Sequence, residues 1–147
     1  MKKTPVVVAV SGYFNPLHTG HLDLIVKAKQ FGDKLIVIVN NDHQVKLKGS
    51  YPFMKETDRM AIMKSLQNVD DVFLSIDEDL TVCKSLITLK PHIFANGGDR
   101  DDTNIPEYDT CKKHGIEIVY GLGNKIDSSS SIISRVMEER MKFREAL

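Results

Sequence analysis

The stretch "PVVVAVSGYFNPLHTGHL", Pro5 to Leu22, decides the fold. Its first half is a run of apolar, mostly β-branched residues without the polar alternation of a strand that faces water. Such a run suits a strand buried on both faces, as in a parallel sheet. It stops at "SGYFNPLH", where glycine, asparagine and proline shape a loop, and helical spacing begins at Thr19. Strand, loop and helix in that order open a doubly wound α/β domain. His18 and His21 then bracket the N-terminus of the first helix. Backbone N–H groups and the positive end of the helix dipole favour phosphate there, and Gly20 lets a nucleotide lie close to the first turn.

Further apolar runs follow: "LIVIV" from Leu35, "VFLSI" from Val72, "HIFA" from His92 and "IEIVY" from Ile116. Between them stand segments with helical spacing: Leu22, Ile25 and Val26; Met60, Met63 and Leu66; Val82, Leu86 and Leu89. Pro91 and Gly115 sit where helices should stop. The pattern predicts one domain over residues 1–147, a parallel five-stranded sheet with helices on both faces and its ligand outside the carboxyl ends of the strands. Met60 and Met63 read as core filler. The segment Asn40 to Phe53 lacks apolar periodicity and reads as a long, functional loop.

The chain has 147 residues, formal net charge +0, 41% hydrophobic and 27% charged residues. It lacks the basic excess of a nucleic-acid binder, so an anion site must be local. Cys83 and Cys111 are the two cysteines, with no C-x-x-C pair, which fits a reducing compartment and points to the cytoplasm. The run after "MKK" breaks within about ten residues, too short for a membrane span.

A metal reading of the histidine pair needs a third ligand. His43, His92 and His114 do not have ligand spacing, so no metal-ligating residue is assigned. A core reading suits a lone histidine better than a pair at a loop-to-helix junction.

"GYFNPLHTGH", Gly12 to His21, resembles the H-x-G-H motif of the cytidylyltransferase-like nucleotidyltransferases. Three more segments are similar to that family in the expected order: "NNDHQVKLKG" with Lys46 and Lys48, "KETDRMAIMKSLQNVDDV" with Arg59, and "FANGGDR" followed by "DSSSSIISR". The last two look most like heptose-phosphate adenylyltransferases and glycerol-phosphate cytidylyltransferases. The resemblance implies a Rossmann-like domain that transfers a nucleoside monophosphate from ATP or CTP to a sugar or polyol phosphate. FAD synthetase is a close rival, and a nucleotide-binding module with a decayed site is the non-enzyme alternative.

It further implies His18, His21 and Lys46 as catalytic residues. Gly12, Tyr13, Phe14, Asn15, Gly20, Lys48, Gly98, Asp99, Ser129, Ser130 and Arg135 are implied to bind the nucleotide. Mg²⁺ as cofactor, a homodimer, and no nucleic-acid or membrane partner complete the expectation. The serines before the apolar helix "IISRVMEERMKF" read as caps of a second phosphate-facing helix. Two positions depart from the relatives: Asn15 stands where many have aspartate, and Asn96 where the heptose enzymes have lysine.

Overall fold

The computed structural model describes residues 4–98, 105–123 and 129–146. Five strands form one sheet: β1 (Val7–Gly12), β2 (Lys34–Val39), β3 (Asp71–Leu74), β4 (Ile93–Gly97) and β5 (Glu117–Leu122). Their order is β3-β2-β1-β4-β5 and every pairing is parallel. Six helices accompany them: α1 (Thr19–Lys29), α2 (Asp42–Leu47), α3 (Glu56–Lys64), α4 (Cys83–Leu89), α5 (Tyr108–Lys113) and α6 (Ser129–Ala146). The doubly wound reading of the sequence therefore holds.

The β-branched runs bury both faces of the sheet. Val8 and Val10 of β1 and Leu35, Val37 and Val39 of β2 pack with Ile25 and Ala28 of α1 and Met63 of α3. Ala9 and Ile38 face the other way, onto Val82, Leu86 and Cys111 from the α4 and α5 side. Each large aliphatic side chain so buried contributes roughly 1.5–3 kcal/mol. Met63 is fully buried and Met60 packs against the same cluster, as core filler should.

One expectation is corrected. Asn40 to Phe53 is not all loop, because α2 occupies its first half. The helix is nucleated by polar groups rather than by an apolar stripe. Asn41 Oδ1 accepts from Gln44 N at 2.8 Å, and Gln44 Oε1 accepts from Asn41 N at 3.0 Å. This reciprocal capping box satisfies two N–H groups that a short helix would otherwise leave unpaired.

β1 pairs with β2 along six register positions, Val7↔Lys34 to Gly12↔Val39, but with β4 at only Val8↔Ile93 and Ala9↔Phe94. The carboxyl halves of β1 and β4 therefore part, and their helices lie on opposite faces. The crevice between them is the switch point of the sheet, where open α/β domains take their ligands. Among the described residues no helix is long and apolar enough to cross a membrane.

Candidate active site

His18 is the N-cap of α1, with extended backbone (φ −142°, ψ 174°), and His21 is the third residue of the helix. His18 Nδ1 accepts from Gly20 N at 3.1 Å, and His21 Nδ1 accepts from His18 N at 3.1 Å. The spacing of the two histidines is thus that of a capping box, built from imidazoles instead of serine and glutamate. The rings stack at 3.7 Å between centroids, and Phe14 meets His21 edge-on at 4.8 Å.

Each Nδ1 serves as an acceptor, which requires the ring N–H to be on Nε2. The Gly20 N–H goes to His18 Nδ1 and the His21 N–H to His18 O, at 3.0 Å. These two amides are consequently turned inward.

Burial, then the neighbouring His18, then Lys48 push the His21 pKa down from 6.5 to about 3. His21 is therefore neutral near pH 7. Its lowered pKa also couples stability to pH. Between pH 6.5 and about 3 the unfolded chain carries a proton on His21 that the folded chain refuses, so stability falls as the medium is acidified through that window. A thermal unfolding midpoint that declines between about pH 6.5 and pH 4 is expected, with a shallower decline in His21→Gln. Equal slopes in the two proteins would contradict this source of acid sensitivity.

Lys48 caps the C-terminus of α2, and its ammonium lies 4.2 Å from the centre of the Tyr13 ring. This cation–π contact carries Lys48 to the loop that bears the histidines. Lys46, in the last turn of α2, is exposed. Gly12 ends β1 beneath Phe14, whose backbone is left-handed (φ 51°). A Cβ on Gly12 would stand 2.7 Å from Phe14 Cζ, so glycine is needed there.

Asn15 is 3% exposed and accounts for its own amide. Its Nδ2 donates to Tyr51 O at 2.7 Å, and its Oδ1 accepts from Met54 N at 3.2 Å. An aspartate would present an oxygen to the Tyr51 carbonyl where a donor is required. Arg59 is 0% exposed and holds four acceptors. Nε donates to Met54 O at 2.9 Å, Nη1 to Tyr13 O at 2.7 Å and to Asn40 O at 2.6 Å, and Nη2 to Asp42 Oδ1 at 2.7 Å.

Gln44, which the sequence reading passed over, is also buried. Its Nε2 donates to Asp79 O and Thr81 O, both at 2.8 Å, fastening α2 to the segment before α4. The signal for it was present as Asn-x-x-Gln at 41–44.

The crevice between β1 and β4 holds a cavity of about 160 Å³ lined by Ser11, Tyr13, Asn40, Asn96, Gly97 and Glu107, among others. Glu107 is buried, and its Oε1 accepts from Val82 N at 3.1 Å. Gly98 is exposed in the turn after β4, whereas Asp99 lies outside the described residues. Ser129 and Ser130 are the first residues of α6, with side chains outside the description, and Arg135 is exposed further along it. Among the described residues no group of three His, Cys, Asp or Glu could hold a metal ion.

The sequence profile of the cytidylyltransferase-like family matches residues 9–135, from the middle of β1 into α6. The chain belongs to the cytidylyltransferase-like family. This cytidylyltransferase-like chain is 30% identical over 135 residues to FAD synthase of Thermoplasma volcanium, covering 89% of this chain and 94% of that protein. It is 34% identical over 136 residues to bifunctional protein HldE of Pelobacter propionicus, covering 90% of this chain but only 27% of HldE. A crystal structure of a lipopolysaccharide core biosynthesis protein from Thermoplasma volcanium superposes with a TM-score of 0.71 at 28% identity, covering 82% of this chain and 99% of that one. The NadR protein, at 19% identity and TM-score 0.60, shares the fold over 94% of this chain and 44% of its own.

Proposed function

We propose that this cytidylyltransferase-like chain transfers a nucleoside monophosphate from ATP or CTP to the phosphate of a small acceptor, a sugar or polyol phosphate, and releases pyrophosphate. The carrying observation is the histidine capping box at a helix N-terminus, in which both Nδ1 atoms are taken as acceptors and Nε2 is the remaining ring nitrogen, with Lys48 close enough to depress the His21 pKa.

In this reading an oxygen of the acceptor's phosphate attacks the α-phosphorus. The bond from that phosphorus to the bridging oxygen breaks, and the electron pair leaves with pyrophosphate. A phosphate monoester has its second pKa at about 6, so the nucleophile is ionised at neutral pH without a base. His18 and His21 would donate to the transferring group, and Lys46 and Lys48 would offset charge on the departing phosphates. Among the described residues no group of three His, Cys, Asp or Glu could hold a metal ion. We place the magnesium on the incoming triphosphate, as part of the substrate.

FMN is the second acceptor reading, favoured by the relative named FAD synthase, which the chain matches over 94% of its length. Pyrophosphate release with ATP and CTP, each against heptose, glycerol and flavin phosphates, is expected to rise with one triphosphate and one sugar or polyol acceptor. Release with FMN alone would replace the leading acceptor. Triphosphate binding with no release from any pair would indicate a decayed site.

A further inference from the structure

The two groups that would handle phosphate stand on separate elements. The histidines belong to α1 and its preceding loop, the lysines to α2 and its end. Arg59 lies between these elements and reaches both. Nη1 donates to the Tyr13 carbonyl on the histidine loop and to the Asn40 carbonyl at the exit of β2, while Nη2 holds Asp42 in the first turn of α2. Its Nε adds the Met54 carbonyl. Asn15 closes the ring from the other side through Tyr51 O and Met54 N. The segment between α2 and α3 is thereby sewn to the histidine loop at two points, and both residues are buried.

We propose that Arg59 and Asn15 are positioning residues that set the separation between the histidine donors and the lysine helix. Both are buried, and the hydrogen bonds described for them go to the protein's own backbone and to Asp42. The planar guanidinium serves three carbonyls and one carboxylate in fixed directions, which an ammonium cannot copy. The Asn15 amide gives and receives a hydrogen bond at once, which a carboxylate cannot do. This inference rests on the nucleotidyl-transfer reading for its kinetic consequence, but not for its spectroscopic one.

The test uses the full chain with Asn15→Asp and Arg59→Lys, beside Asp70→Asn as a control for stability loss. Asp70 accepts from Leu35 N at the amino end of β2, remote from the site. Displacement of reacting groups by about 1 Å costs on the order of a hundredfold in rate. Asn15→Asp is therefore expected to lower kcat about a hundredfold, with the triphosphate KM changed less than about threefold, measured at a temperature where both variants are fully folded by circular dichroism. The ring-nitrogen NMR signals of His18 and His21 should move in Asn15→Asp and stay in Asp70→Asn.

Should Arg59→Lys fail to fold, Asn15→Asp carries the test alone. Unmoved histidine signals in Asn15→Asp, or a kcat equal to that of the control, would overturn the proposal. If the wild-type protein turns over no substrate pair, the functional reading falls, and the histidine signals still decide the positioning role.

Discussion

Replacing His18 with asparagine is expected to lower turnover about a hundred- to a thousandfold while leaving α1 capped. Asparagine is a good N-cap, so it can replace the Nδ1 acceptor that receives the Gly20 N–H. It has nothing at the place of Nε2, and the transferring phosphate loses one preorganised donor. His18→Ala removes both functions and should lose a further amount, about 1 kcal/mol, of folding stability. Comparing the two variants separates the structural use of the ring from its chemical use. Pyrophosphate release and a denaturant melt on each protein suffice. An asparagine variant with near-normal turnover would remove His18 from the chemistry.

Gly12→Ala has the second large expected effect, and it acts through packing. The new methyl would lie 2.7 Å from Cζ and 2.9 Å from Cε1 of Phe14. That ring is buried and cannot swing into solvent. Overpacking of this kind costs about 1–3 kcal/mol. The displaced residue is Phe14, which also meets His21, so the histidine donors should shift with it. Loss of both stability and turnover is expected, with a double variant carrying Phe14→Leu regaining stability. A single variant with the wild-type denaturation midpoint would show that the loop yields freely.

These outcomes depend on features of unequal visibility in the sequence. The strands were legible because a sheet buried on both faces demands unbroken β-branched runs, and Val7–Gly12 and Lys34–Val39 carry them. The start of α1 at Thr19 was legible from the loop residues before it. α2 was missed because apolar periodicity reports packing, and this short helix is secured by amides, with Leu47 exposed.

Arg59 was located but not understood. Three of its partners are the carbonyls of Tyr13, Asn40 and Met54. Every residue has a carbonyl, so no side-chain pattern records such bonds. Asn15 is the converse case. Its departure from aspartate was visible, yet the reason lies in Tyr51 and Met54, thirty-six and thirty-nine positions away. The histidines were read as flanking a helix with free amides, whereas the Gly20 amide goes to the His18 imidazole and the His21 amide to the His18 carbonyl.

The brief pairing of β1 with β4 has a consequence for how firmly the two walls of the crevice are held. The two histidines and two lysines sit on the β1 and β2 side, where six register positions and the Arg59 hub bind the elements together. Asn96 and Glu107 line the facing wall, joined to β1 through two register positions. Asn96 is half-buried there, whereas Glu107 also holds the Val82 amide at the start of α4. The domain is therefore divided into a firmly tied side and a lightly tied side, and the seam between them runs along the crevice.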